Sequence, residues 1–233
     1  MRVLRTWLVA LAVALAVVTL SAGTAQAAAP AEPPACPSLE GCYDHAGMQA
    51  FYGQVVTLVD EYSTATYAAM PQPAYAYIPS GSTGPTSCGP GDARAFFFCG
   101  PDDSVYVGQD QLWDFYNLDG DAAAAFGVAH EWGHHVQHVA GVFGTVDTLP
   151  EAIQSENQAD CIGGSFLRYL DDQGILEPDD YSDLSSILVK IASAEGPDRD
   201  HGTVQERFAA TQLGFAQGLA GCNAFFPDTL VLA

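Results

Sequence analysis

Positive charge is scarce in this chain of 233 residues: seven Lys and Arg stand against twenty-eight Asp and Glu, a formal net charge of −21. A surface so acidic repels phosphate backbones and anionic headgroups, which excludes nucleic acid and charged lipid as partners. Solubility outside a cell is the plainer account of the charge, and net charge alone does not establish a preference for basic substrates. No two of the six cysteines have C-x-x-C spacing, so a cysteine-based zinc site or a thioredoxin-like redox motif is not expected. Internal repeats are absent, as is any sign of a second domain. The uncharged apolar run from Trp7 to Leu20 falls short of the about 20 residues a spanning helix needs.

That run has the form of an export signal. Arg2 and Arg5 precede it, and Ala25-Gln26-Ala27 follows as an A-x-A cleavage site. An uncleaved anchor is the competing reading; cleavage after residue 27 is the expectation, with a secreted, extracellular chain starting near Ala28 and no stable membrane insertion after cleavage. Without Arg2 and Arg5 the charge becomes −23, five basic against twenty-eight acidic residues. The remaining length is enough for one domain with a real core. Residues 28–48, rich in Ala and Pro at the start, read as a flexible lead-in and 49–233 as one domain.

An even cysteine count in an exported chain points to disulfides. Cys36, Cys42, Cys88, Cys99, Cys161 and Cys222 allow fifteen connectivities. Proximity favours Cys36–Cys42 and Cys88–Cys99, leaving Cys161–Cys222 by elimination.

Helical spacing of Phe51, Val55, Leu58, Val59 and Tyr62 predicts a helix over 49–67. Ala74 to Ile78 alternates like a strand, and Pro79 to Asp92 carries enough Gly, Pro, Ser and Thr to read as a loop. Phe96-Phe97-Phe98 and Ser104 to Val107 read as a hairpin, the Cys88–Cys99 pair stapling the loop before it. Further helices are expected over 122–140 with Asp121 as N-cap and Gly141 near the end, and over 151–172 between Pro150 and Gly174. Two more are expected over 181–194 and 203–219. Asn117, Asp119, Gly120 and Asp121 faintly resemble a calcium loop but lack its later ligands, so helix capping is preferred for Asp121.

The chemistry lies in His130-Glu131-Trp132-Gly133-His134. Residues i and i+4 share one helix face, so both imidazoles can aim at a single metal ion. Glu131 is turned about 100° from His130, beside the metal without being forced to bind it, where a general base takes a proton from water. A catalytic zinc normally has three protein ligands. His138 fails as the third, since eight helical residues span about 12 Å. Gln137 and Ala140 stand where a metzincin would need glycine and histidine. His135 faces elsewhere, as a supporting or surface residue. On the next helix, Glu156 and Asp160 again share a face. Glu156 as third ligand, with Asp160 holding the spare ring N–H of a ligand histidine, is the preferred assignment. Asp160 as ligand is the runner-up. Gly163, Gly164 and Ser165 let the two helices approach closely.

The stretch His130 to Gln137 and Gln158-Ala159-Asp160-Cys161 closely resembles the neutral zinc metallopeptidase family of bacteria. Cys88-Gly89-Pro90, Phe98 to Tyr106, His201-Gly202-Thr203, Arg207, Gly214-Phe215, Gly218 and Cys222 extend the resemblance in pieces. Glu206 stands where the family often has Gln, Phe208-Ala209 replaces an aromatic pair, and residues 36–87 match poorly. The resemblance implies a gluzincin-like site with Glu156 as third ligand, and it favours disulfides Cys88–Cys99 and Cys161–Cys222. His201, which matches the family's C-terminal pattern, is the candidate oxyanion stabiliser, with Tyr106 and Tyr116 as competitors. The Ser104–Val107 strand is a candidate edge for pairing with an extended peptide. The expected protein is thus α+β and mainly helical, with a zincin-like helix pair, a small sheet and disulfide staples. It would bind one Zn2+ and hydrolyse peptide or protein substrates. The alternatives are a zinc-holding secreted or cell-surface protein without proteolytic activity, and a hydrolase of non-peptide amides.

Overall fold

A computed structural model describes residues 39, 42–142, 148–194, 196 and 199–232. The expected signal segment and Cys36, and with it the Cys36–Cys42 pairing, lie outside the described residues. Five strands and seven α-helices follow in chain order: α1 Met48–Thr66, β1 Ala74–Ile78, β2 Thr83–Thr86, β3 Gly89–Asp92, β4 Phe96–Cys99, β5 Ser104–Gly108, α2 Gln109–Asp119, α3 Asp121–Ala140, α4 Leu149–Asp172, α5 Asp180–Lys190, α6 Val204–Gln217 and α7 Leu219–Cys222. The fold is α+β and mainly helical.

The main sheet has the order β1-β5-β4, with β1 parallel and β4 antiparallel to β5. Val105 and Val107 alternate along β5 onto the buried face, while Phe97 and Tyr106 stack on the other. β5 is therefore the central strand, both of its backbone edges already paired, which corrects its expected role as a free edge. The edge next to α3 is β4.

Helix α3 is the core element. Ala122 to Phe126, Val128, Ala129, Trp132 and Val136 are buried all round it, and α1, α2, α4, α5, β4 and β5 all touch it. Its alanine-rich first half leaves room for those neighbours. The helix stops at Gly141, whose φ of 81° lets its N–H reach back to the Gln137 and His138 carbonyls. Helix α4 begins with a capping box between Thr148 and Glu151 and presents Ile162, Phe166, Leu167 and Leu170 to the core.

Several local expectations shift. The stretch read as a loop over 79–92 contains the β2–β3 hairpin, in which Pro85 opposes Pro90. Gly- and Pro-rich strands carry little β-propensity, and the turn of this pair is tethered to the end of β4 by the Cys88–Cys99 disulfide. Helix α2, where no element is expected, carries five apolar or aromatic residues, of which Leu112 is fully buried. Asp121 is the first residue of α3 and not its N-cap; Gly120 takes that position, and Asp121 Oδ1 accepts from the Ala122 N–H. Helix α5 ends at Lys190, short of Ala194, and the last predicted helix breaks at Gly218 into α6 and α7. Within the expected lead-in, His45–Gly47 form a short 3-10 turn capped by Asp44 and running into α1.

The small residues of α4 serve two neighbours. Gly163 meets Phe126 of α3, whereas Gly164 faces α6: a Cβ there would lie 2.1 Å from the Thr211 carbonyl oxygen. Gly214 of α6 reciprocates, since a Cβ would come within 1.8 Å of the Cys161 carbonyl oxygen. Backbone thus packs on backbone between α4 and α6, and the Cys161–Cys222 disulfide ties α4 to α7 beside that contact. Among the described residues no helix is long and apolar enough to cross a membrane.

Candidate metal centre

Antiparallel packing of α3 on α4 brings His130, His134 and Glu156 together. One ligand atom from each lies within 4.8 Å of the others, a group that could hold a metal ion. His130 Nε2 is 3.2 Å from Glu156 Oε2, and His134 Nε2 is 3.3 Å from Glu156 Oε1. Four ligands on zinc at about 2.0–2.1 Å sit at tetrahedron corners about 3.3 Å apart, so these separations match the edges of such a site.

The far side of each imidazole is held by an acceptor. His130 Nδ1 lies 2.9 Å from Asp160 Oδ1, and His134 Nδ1 lies 2.8 Å from Gln137 Oε1. A carboxylate and an amide oxygen only accept, so both Nδ1 atoms carry their protons and both Nε2 atoms turn toward Glu156. Gln137 is locked in turn: its Nε2 donates to the Ser155 carbonyl at 2.7 Å and to Gln158 Oε1 at 3.0 Å. Gln158 donates to the Cys222 carbonyl at 3.0 Å, extending the chain of bonds to the disulfide. Asp160 Oδ1 also accepts from Arg207 Nη2 at 2.8 Å. Both partners are buried, Arg207 at 1 % and Asp160 at 0 % exposure.

Glu156 Oε2 is buried and makes no hydrogen bond of good geometry, despite the nearby imidazole. A buried oxygen left in this way, on a carboxylate beside two imidazole Nε2 atoms, fits a cation better than it fits an apolar core. Charge balance follows the same pattern. Burial works against charge on His130, yet the Asp160 and Glu156 carboxylates hold it at about 10. His134 is likewise raised by Glu156 against the effect of burial. Glu156 is driven far below the usual carboxylate range, the two histidines overcoming its burial. Metal binding here would displace protons from the imidazoles.

Glu131 sits one residue along from His130 and faces the same cleft. Its Oε2 accepts from the Phe98 N–H of β4 at 2.8 Å, so the sheet edge positions this carboxylate. Burial pushes its pKa up, and Glu156 adds to the effect against the pull of His130 and His134. A carboxylate raised in this way is better matched to taking and returning a proton near neutral pH.

His201, on the segment before α6, places Nε2 3.5 Å from Glu156 Oε2, with Nδ1 2.9 Å from Asp200. Its side chain is 42 % exposed and lines the cleft. Neither tyrosine competitor lines that cleft: Tyr106 donates to Asp102 Oδ2 at 2.9 Å, and Tyr116 stacks on Trp113. His135 is turned away, its nitrogens facing Asp103 at 2.6 Å and the Pro71 carbonyl at 2.8 Å. His138 packs its ring near Phe98, outside the metal-ligand group. The cleft encloses about 290 Å³ and has Phe96, Phe115, Phe126, Ile187 and Ile191 among its walls.

Sequence reasoning missed Gln137 on His134, the Phe98 N–H on Glu131 and Arg207 on Asp160. Arg207 left a signal, being one of only seven basic residues and lying at helical spacing from the small residues Ala210, Thr211 and Gly214.

The chain is 32% identical over 169 residues to the uncharacterized protein YpfJ of Escherichia coli (strain K12), covering 60% of this chain and 58% of that protein. To the uncharacterized protein Rv2575 of Mycobacterium tuberculosis (strain ATCC 25618 / H37Rv) it is 33% identical over 137 residues, 52% of this chain and 46% of that one. The chain spans about half the length of the curated relatives it matches. No solved structure shows a significant match. Residues 80–225 match the model of the family described as "Putative neutral zinc metallopeptidase", and with more than half of its length so matched the chain belongs to that family.

Proposed function

We propose that this protein is a secreted zinc-dependent peptidase with a gluzincin-like site: His130, His134 and Glu156 as ligands and Glu131 as general base. The observation that carries the reading is the convergence of two Nδ1-anchored imidazoles on the half-buried Glu156 carboxylate, with Glu131 lining one cleft with His130. Zinc, when bound, supplies the positive charge that acidifies a water and polarises a scissile carbonyl. Glu131 takes the proton from the attacking water and delivers it to the leaving amine as the C–N bond breaks. The Phe98 N–H keeps that carboxylate aimed, and burial keeps it basic enough to accept. His201, at the cleft opening, donates to the carbonyl oxygen as negative charge develops there. Asp160 fixes the His130 tautomer. The edge strand β4 offers main-chain pairing to an extended substrate, and the aromatic and branched walls of the cleft suit a bulky apolar side chain. Secretion is supported by the export-like residues 1–27 and by two disulfides, which need an oxidising compartment.

The test uses the full chain as processed on export, zinc measured by mass spectrometry, and cleavage of a mixed peptide library with and without a chelator. Zinc-dependent cleavage is expected, falling about 10²–10⁴-fold in Glu131→Gln while zinc is retained. Glu156→Ala should lose zinc outright, whereas Asp160→Ala should weaken binding by about 10–100-fold. Full zinc occupancy with no cleavage by the unaltered chain would replace the peptidase with a zinc-holding binding protein. The reverse order of zinc loss would make Asp160 the ligand.

A further inference from the structure

A second group of acids lies away from the zinc ligands. Asp121 opens α3, Asp180 opens α5, and Glu177 lies on the segment between α4 and α5. One carboxylate oxygen from each falls within 4.8 Å of the other two. Asp121 and Asp180 are 5 % and 3 % exposed, and Glu177 is half-buried. Nothing neutralises them: among the described residues no Lys, Arg or His pairs with any of the three, and Lys190 of α5 is taken by Asp119. Asp121 and Asp180 stand close enough to share a proton, and the other hydrogen bonds they accept are backbone ones, from the Ala122 N–H to Asp121 Oδ1 at 2.9 Å and from the Glu177 N–H to Asp180 Oδ2 at 2.8 Å. Asp121 Oδ2, on a side chain more than nine-tenths buried, has no hydrogen-bond partner, and neither has Glu177 Oε2.

We propose that Asp121, Glu177 and Asp180 form a calcium site that ties the first turn of α3 to α5. Buried carboxylates this close require protons or a cation between them. Burial, with repulsion from Asp121 and Glu177, raises Asp180 to about 7, and burial with Glu177 raises Asp121 against its hydrogen bonds to the Ala122 N–H and Asp180. The donors are all oxygens, the set preferred by hard cations, and oxygens on calcium at 2.3–2.6 Å stand at most about 5 Å apart. Magnesium demands a near-ideal octahedron and is seldom held by protein carboxylates alone. Backbone carbonyls and waters would complete the shell. The site joins the helix that carries His130 to the helix that supplies Ile187 to the cleft wall, so the ion would stiffen the cleft from outside it. This inference is independent of the zinc reading.

The test is thermal unfolding of the full chain, freed of calcium, supplied with one equivalent of zinc and titrated with CaCl2, MgCl2 or NaCl at matched ionic strength. Calcium at ten times its dissociation constant should raise Tm by roughly 3–6 °C over the NaCl control. Asp180→Asn should abolish that increment, and so should Glu177→Gln, the more exposed and milder change. Equilibrium dialysis should find one bound calcium in the unaltered chain and none in the variants. A chain that shows no increment, or variants that keep all of it through diffuse screening of the acidic surface, would overturn the site. Variants that are more stable than the parent and bind no less calcium would mark the group as a shared-proton cluster instead.

Discussion

Asp160 and Arg207 show how one buried pair sets the geometry of a site neither enters as a ligand. A single oxygen, Asp160 Oδ1, meets His130 Nδ1 and Arg207 Nη2, while Asp160 Oδ2 and Arg207 Nε and Nη1 have no further partner. Removing one member of such a pair strands the other charge, which costs more than the pair itself contributes. Arg207→Met should therefore destabilise the protein by about 3–5 kcal/mol, measured as the shift in urea midpoint. Zinc affinity should fall with it, because Asp160 then holds His130 less firmly. Arg207→Met combined with Asp160→Leu should recover part of the stability but none of the affinity.

At the scale of elements, α6 is fixed at its start by a capping box. Thr203 and Glu206 exchange side-chain-to-backbone bonds, the Thr203 N–H reaching Glu206 Oε2 at 2.8 Å, and Arg199 pairs with the same carboxylate. The Arg199 hydrogen bond, aided by that N–H and against partial burial, lowers the Glu206 pKa from 4.5 to about 2. A depressed folded-state value means the stabilisation is complete above the unfolded value and disappears as pH falls from about 4.5 toward 2. The side chain is 37 % exposed, so solvent screening keeps the contribution below about 1 kcal/mol. Urea midpoints of the parent and Glu206→Gln should differ at pH 7 and converge near pH 2. A constant gap across that range would assign the loss to the cap alone. Glutamine keeps an accepting oxygen for the cap but carries no charge for Arg199, so only the charge-dependent part of the gap changes with pH.

For the whole molecule, the staples matter more than the charge. Cys161 follows Asp160 directly on α4, and its bond to Cys222 spans 61 residues, the longer of the two closures among the described residues. Loop-closure entropy puts the stabilisation on the order of 4 kcal/mol. The double variant Cys161→Ala, Cys222→Ala should lose roughly 2–5 kcal/mol by urea unfolding. It should also hold zinc less well, since Gln158 and Gln137 connect the Cys222 carbonyl to His134.

Local pattern was legible where short-range physics dictates the outcome. The i, i+4 spacings place His130 with His134, and Glu156 with Asp160, on single faces whatever surrounds those helices, and the apolar spacing of α1 needs no partner to be recognised. Tertiary contacts decided what spacing leaves open. The β2–β3 hairpin forms from residues of low strand propensity and is tethered at its turn to β4 by Cys88–Cys99, and β4 rather than β5 became the free edge because β1 pairs across the sheet in parallel. Gly164 and Gly214 bring α4 against α6 by removing side chains from a contact that no sequence window spans. Arg207 and the Phe98 N–H entered the site for the same reason, whereas Gln137 lies one turn from His134 and only its anchoring by Ser155 and Gln158 is tertiary. Hydrogen bonds between residues far apart in the chain form only after packing has removed water from both partners, and no periodicity records them. The His130–His134 face was thus determined by the chain's own helical repeat, while its anchoring and its cleft were decided by the fold around it.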